Sequence, residues 1–154
     1  MPGIRNDTIK EFQSRIERFD QTYVTDWKNW LSTSISKRPY QLGVVLRSWQ
    51  ACRPNRMRRT KAECKHKPPY LEDLIALSAP HIQALQDFTI RQAISFTQEV
   101  RTALKELWKI FEQLSYHGKA HNGLAGVVGI SKAVLLLSDG RVGPAFDSLV
   151  RRNL

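Results

Sequence analysis

The sequence predicts an all-α fold: a single globular domain of roughly six to eight helices with one basic loop. Over most of the 154 residues, apolar side chains recur three or four positions apart, as on one face of a helix. No segment shows the alternation of apolar and polar residues that is typical of a half-buried strand. The composition, 42% hydrophobic and 25% charged, is typical of globular proteins. The number of helices follows from the usual helix length of about 11 residues.

Two helices are predicted before residue 32. The first begins at a capping box, because Thr8 precedes the carboxylate of Glu11 by three positions. Its apolar face consists of Ile9, Phe12, Ile16, Phe19 and Tyr23. A short second helix is predicted to start at Thr25 and Asp26, which are common capping residues. It carries Trp27, Trp30 and Leu31.

A loop is predicted over residues 32–39, and a third helix over residues 40–51. The third helix places four apolar residues on one face: Leu42, Val45, Leu46 and Trp49. It ends at the Arg53-Pro54 pair, because proline lacks an N–H donor and disfavours helical backbone in the residue before it.

Residues 53–69 form a proline-bounded basic loop with no apolar period. Within residues 41–70 there are eight Lys/Arg and one acidic residue, so most of the net charge of +10 lies there. The loop cations are Arg53, Arg56, Arg58, Arg59, Lys61, Lys65 and Lys67. Because the segment has few residues that can be buried, we expect it to be poorly ordered without a partner.

Helical spacing resumes at residue 71 and continues to the C-terminus with interruptions. Pro80 is predicted to break the first of these helices, and residues 81–94 to form the next. A long helix starts near Ser95 or Thr97 and ends before the glycines at 118 and 123. Its apolar face consists of Val100, Leu104, Leu107, Trp108, Phe111 and Leu114.

The last part of the chain is predicted to hold two helices separated by a turn. Ser131 is expected to cap the first, an apolar helix with the sequence KAVLLL that should be buried on nearly every side. Residues 138–144 (SDGRVGP) are predicted to form the turn. Asp147 is predicted to cap a final helix.

The clustered positive charge points to a polyanionic partner, most often nucleic acid. Arginine side chains match phosphate oxygens and release counterions when they bind them. Nothing in residues 53–69 is suited to reading bases, so the basic loop predicts affinity rather than sequence choice. Two alternatives remain open: a solvated loop without a partner, or a regulatory domain whose loop docks on an acidic protein.

Other classes of site have weaker support. Cys52 and Cys64 do not make a disulfide framework, and their spacing is not that of a zinc site. His117 and His121 are four apart, but Gly118 disfavours a helix between them. We therefore predict no metal and no cofactor. No apolar run reaches the roughly 18 residues of a membrane span, and no secretion signal is recognisable, so we expect a cytoplasmic protein that does not bind membranes.

The segment from Gly126 to Ser148 contains residues suited to chemistry on nucleic acid. Glycines before a helix let backbone N–H groups approach a phosphate closely. A partly desolvated lysine, such as Lys132 at the mouth of an apolar helix, is a candidate nucleophile. A carboxylate, such as Asp147, can stabilise positive charge on a sugar. In the alternative interpretation Lys132 is an ordinary first-turn residue whose head reaches water, and Asp147 is only a cap.

This segment resembles the core of the helix-hairpin-helix DNA glycosylases. The residues that match are Leu124, Gly126, Val128, Gly129, Ala133, Asp147 and Val150. The resemblance implies that Gly126 and Gly129 bind backbone phosphate and that Asp147 is the catalytic aspartate. It also implies that Lys132 stands in for the lysine of bifunctional members, and that a base is released from an extruded nucleotide.

The functional prediction is therefore a DNA-binding protein that resembles a DNA glycosylase. Its expected partner is nucleic acid, with DNA favoured, and Arg141 is added to the predicted DNA contacts. Whether the protein is an enzyme stays open, because a non-catalytic nucleic-acid-binding module would need the same basic residues.

Overall fold

The computed structural model describes residues 21–63, 68–88, 97–116 and 123–142, together with Lys10 and Ser14. Within these ranges the chain forms five α-helices and two short 3-10 turns, Ile35–Lys37 and Pro54–Arg56, and no β-strand. The helices are α1 (Gln21–Ser32), α2 (Arg38–Ser48), α3 (Leu71–Ala84), α4 (Gln98–Glu112) and α5 (Val127–Leu137). The predicted all-α class is confirmed for this part of the chain.

Helix α1 is continuous from Gln21, so the prediction that a helix starts at Thr25 and Asp26 is wrong. Instead of capping, Asp26 accepts a hydrogen bond from the Ser48 hydroxyl at 2.6 Å, which ties α1 to α2. Tyr23 and Trp27 pack against the core that includes the fully buried Trp30. Of the helix predicted before α1, only Lys10 and Ser14 are described, and both are helical.

Helix α2 begins at Arg38, two residues before its predicted start. Pro39 lies in its first turn, where the missing N–H has no helical acceptor and costs nothing. The predicted apolar face is confirmed, because Leu42, Val45, Leu46 and Trp49 are all buried.

Helix α3 runs through Pro80, so the predicted break at this proline is wrong. An interior proline costs roughly 3 kcal/mol, but the helix holds Leu71 and Leu74 fully buried. Its first turn is secured by Asp73, which accepts a hydrogen bond from the Tyr70 amide at 2.8 Å. Burial and capping on this scale outweigh the loss of one backbone hydrogen bond.

Helix α4 begins as predicted, with the Thr97 hydroxyl accepting a hydrogen bond from the Val100 amide at 3.2 Å. Leu107 and Phe111 are buried as expected. The prediction that Trp108 belongs to this buried face is wrong. Trp108 is 43% exposed, and its indole N–H donates to the Glu112 carboxylate.

Helix α5 begins at Val127 with Gly126 as its N-cap, so the prediction that Ser131 caps it is wrong. The Ser131 hydroxyl donates to the Val128 carbonyl inside the helix. As predicted, the helix is largely buried, and it contacts α2, α3 and α4. Its end is the predicted turn, where Asp139 and Gly140 have positive φ.

The described elements share one hydrophobic core, to which all five helices contribute. Helices α3 and α4 make the most extensive contact. In these ranges no helix has both the length and the apolarity needed to cross a bilayer.

Candidate nucleic-acid interface

The basic segment, residues 53–63, is packed against the C-terminal end of α4. Met57 is fully buried and forms an antiparallel bridge with Ser115. On either side of this bridge, the Arg58 amide donates to the Leu114 carbonyl at 2.7 Å, and the Tyr116 amide donates to the Arg56 carbonyl at 3.1 Å. These contacts anchor residues 56–58 to the end of α4, while the expected poor order of residues 53–69 without a partner stays a prediction. Lys65 and Lys67 lie outside the described residues.

Two carboxylates neutralise part of the positive charge. Glu63 lies 3.4 Å from Arg47 and 3.6 Å from Arg59, and Asp73 lies 3.2 Å from Lys61. Burial by itself would raise the pKa of Glu63. Hydrogen bonds from the Thr60 amide and hydroxyl, with the charges of the two arginines, nevertheless lower that pKa below its ordinary value. Arg59 and Lys61 are thus committed to internal ion pairs.

Arg53 and Arg56 have no ion pair within the part of the chain that the structure describes. Arg53 is exposed and Arg56 is half-buried. Because they flank a turn that leads to the buried Met57, their backbone is fixed while their guanidinium groups stay near solvent. They are the cations of this segment best placed to meet an external phosphate.

Arg58 is held differently. Its Nε donates to the Gln113 carbonyl at 3.0 Å, and its guanidinium lies 4.8 Å from the centroid of the Tyr116 ring. Partial burial lowers the pKa of Arg58, and the neighbouring Tyr116 offsets part of that shift. An arginine nevertheless keeps its charge at neutral pH.

The first turn of α5 presents backbone N–H groups that lack helical acceptors. The first hydrogen bond of the helix runs from the Ile130 amide to the Gly126 carbonyl, so the amides of residues 126–129 precede the helical pattern. A Cβ atom at Gly126 would have no neighbour within 4 Å, so the backbone is open there. Gly129 instead is buried, and a Cβ atom there would lie 2.8 Å from the Cys52 sulfur.

These contacts bring two predicted parts of the site to one side of the molecule. Ala125, which precedes α5, donates to the Glu112 carbonyl at 2.7 Å. Arg58 binds the carbonyl of the next residue, Gln113. Cys52, which touches Gly129, comes directly before Arg53. The basic segment and the N-terminus of α5 therefore share the end of α4 as their support.

Arg141 is not part of this arrangement. It follows the C-terminal end of α5, where its Nε donates to the Ser138 carbonyl at 3.0 Å. An 11-residue helix separates it from Gly126, which corresponds to about 16 Å of helix.

Lys132 lies in the second turn of α5, and only 3% of it is exposed. Its ammonium donates to the Trp49 carbonyl at 2.6 Å and lies 5.8 Å from the centroid of the Tyr23 ring. Lys132 was predicted to lie at the mouth of the helix or, in the alternative interpretation, to extend its ammonium into water. Both predictions are wrong, because the ammonium is buried. Asp147 lies outside the described residues, so its relation to Lys132 stays a prediction.

The thiol of Cys52 interacts electrostatically with this buried amine. Burial raises the pKa of the Cys52 thiol to about 11, although the charge of Lys132 acts in the opposite direction. The other side chains considered for metal binding, Cys64, His117 and His121, lie outside the described residues.

Sequence reasoning missed Tyr116. It follows α4 without any periodic signal, and its contact with Arg58 joins residues far apart in the chain. The hint in the sequence was compositional, because an aromatic residue in an arginine-rich chain can stack with a guanidinium group.

Comparison of the chain with protein-family models, with curated proteins and with solved structures finds no match.

Proposed function

We propose that this protein binds nucleic acid through its sugar-phosphate backbone, with DNA as the expected partner and the cytoplasm as its compartment. The observation that carries the proposal is that Arg53 and Arg56 are available to an external anion. They lie on an anchored segment beside the start of α5 and have no ion pair with other described residues.

The chemistry of the two parts is complementary. Guanidinium groups bind phosphate oxygens and release the counterions condensed on the strand. The N-terminus of a helix favours anions through its unpaired N–H groups and its dipole. Because both kinds of contact are made to phosphate, we expect binding that tolerates many sequences.

The test compares two double variants that remove the same charge. R53Q/R56Q alters the proposed site, and R101Q/K105Q removes two exposed cations from α4. Affinity for a fluorescent DNA is measured by anisotropy at constant salt. We expect R53Q/R56Q to weaken binding about tenfold or more, and the control variant to have a smaller effect.

Equal losses in the two variants would contradict a local site, because they would indicate attraction by net charge alone. Polyglutamate provides a second control. If polyglutamate displaces the labelled DNA as effectively as unlabelled DNA does, the basic segment serves an acidic protein partner instead.

Base release is the second candidate function, and Lys132 is the observation that favours it. This lysine is a buried amine in the helix that follows Gly126, which is the order that the resemblance implies. In this proposal Asp147 stabilises the positive charge on the sugar as the base departs, and Lys132 attacks C1′. For this attack the ammonium would first have to leave the Trp49 carbonyl and lose a proton to water, because only the neutral amine has the lone pair that forms the bond to C1′.

Duplexes that carry damaged or modified bases test this second function. Formation of abasic product would support it, and K132Q and D147N should each reduce the rate. Borohydride should trap a covalent adduct with the wild type and not with K132Q. Product without a trapped adduct would remove the nucleophilic role of Lys132 and leave Asp147 as the catalytic candidate.

A further inference from the structure

Arg58 and Tyr116 form a stacked pair beside the proposed phosphate contacts. The guanidinium lies 4.8 Å from the ring centroid, and both side chains are half-buried rather than enclosed. Contacts with the backbone hold the pair in position. Arg58 donates a hydrogen bond to the Gln113 carbonyl, and the backbones of Arg58 and Tyr116 belong to the bridge around Met57. The guanidinium and the ring are therefore positioned against each other by contacts within the protein.

The pair lies next to Arg56. The Tyr116 amide donates to the Arg56 carbonyl, so these two residues are directly opposite each other. Along an extended segment, successive side chains point to opposite sides. Because Met57 is extended and points into the core, the next side chain, Arg58, is directed away from the core, where it lies against Tyr116.

From this arrangement we propose that the Arg58–Tyr116 pair stacks on an unpaired base, so that the protein prefers single-stranded nucleic acid to duplex. The preference rests on the nucleic-acid binding proposed above and defines its substrate class. The base lies on the exposed surface of the pair while the adjoining phosphates meet Arg53 and Arg56.

Stacking explains why an arginine is held on a ring instead of being left extended. Aromatic rings and guanidinium planes both stack on the faces of unpaired bases. In a duplex these faces are covered by neighbouring base pairs, and only the backbone is accessible. A site that combines cations with a stacking surface therefore gains affinity from a single strand that a duplex cannot supply.

The experiment measures the affinity of each protein variant for two probes that differ only in whether they carry bases. One probe is a fluorescent single strand of about 10 nucleotides, which matches the usual site size of single-strand binders. The other has the same length and the same phosphates but carries abasic residues throughout. Each is titrated with the wild type, with Y116L, and with Y40L, which removes an exposed tyrosine from α2 as a control.

We expect the wild type and Y40L to bind the base-bearing strand about tenfold more tightly than the abasic strand. Y116L should bind both probes with the weaker affinity, and Y116F should restore the difference because it keeps the ring. Thermal melts of all variants, followed by circular dichroism, check that each is folded.

Two results would overturn the stacking surface: a wild type that binds both probes equally, or a Y116L variant that still prefers bases. Either leaves the phosphate contacts intact if R53Q/R56Q weakens binding to both probes. If the wild type binds neither probe, nor a duplex of the same length, the proposed nucleic-acid function itself fails.

Discussion

At the scale of single residues, the contact between α5 and the residues that follow α2 brings a half-buried thiol, Cys52, within electrostatic reach of a buried ammonium, Lys132. Burying a charge is costly unless it is hydrogen-bonded, and the Lys132 ammonium donates to the Trp49 carbonyl. The Cys52 thiol avoids the same cost by staying protonated. Its pKa of about 11, against an ordinary 9.0, expresses this preference for the neutral form.

The raised pKa predicts slow alkylation of Cys52. The chain has two cysteines, so C64S isolates this thiol. Since the thiolate is the nucleophile, a pKa higher by two units slows labelling at pH 8 about 100-fold relative to the unfolded chain. Labelling with iodoacetamide, followed by mass spectrometry, should accelerate about tenfold per pH unit above 8. Because the folded state holds this proton more tightly, stability should fall as pH rises from about 9 towards 11.

A second substitution checks the cause of the shift. The positive charge of Lys132 lowers the pKa of Cys52 against the effect of burial, so K132M in the C64S background should slow labelling further. Faster labelling in a variant that stays folded by circular dichroism would show that the charge of Lys132 is not what sustains the thiolate.

At the scale of elements, the first turn of α5 contains two glycines with different surroundings. A Cβ atom at Gly129 would approach the Cys52 sulfur to 2.8 Å and the Ala51 carbonyl oxygen to 3.1 Å, whereas one at Gly126 would meet nothing within 4 Å. Gly129 therefore allows α5 to approach the residues that lead into the basic segment, and Gly126 keeps the N-cap open.

This difference predicts that alanine destabilises the protein more at Gly129 than at Gly126. G129A should lower the free energy of unfolding by about 1–3 kcal/mol, because overpacking exceeds the gain in helix propensity. G126A should cost about 0.5 kcal/mol, the loss expected when alanine replaces glycine at an N-cap. Urea unfolding measures both. Adding C52A should recover part of the G129A loss, and a G129A protein as stable as the wild type would rule out the close contact.

The elements also show what the sequence could and could not predict. The buried faces of α2 and α4 were predicted because helical spacing is a local property. The starts of α1 and α5 and the passage of α3 through Pro80 were not, because tertiary burial overrode local capping and breaking signals. The stacking of Arg58 on Tyr116 is a long-range contact, to which no periodic pattern points. Gly126 precedes a helix as predicted, but Gly129 lies inside α5 and is buried. Lys132 was expected near the surface, because its burial depends on Trp49 and Tyr23, which are distant in the sequence.

At the scale of the whole molecule, the net charge of +10 overstates the charge available to a ligand. Glu63 and Asp73 engage three cations around the basic segment, Arg47, Arg59 and Lys61. These pairs fasten the segment to α2 and α3, so its positive charge is partly used to build the surface. Among the described residues of the basic segment, Arg53 and Arg56 have no ion pair, and they are the cations that we propose to meet phosphate.

This division predicts a modest dependence of single-strand affinity on salt. With two phosphate contacts, the logarithm of the association constant should fall against the logarithm of salt concentration with a slope of about −1.4, at about 0.7 per contact. R53Q should reduce the slope by about 0.7. Y116L should instead lower the affinity at every salt concentration and leave the slope unchanged, because stacking releases no counterions. A wild-type slope steeper than about −4 would require further cations and would contradict the limited set proposed here.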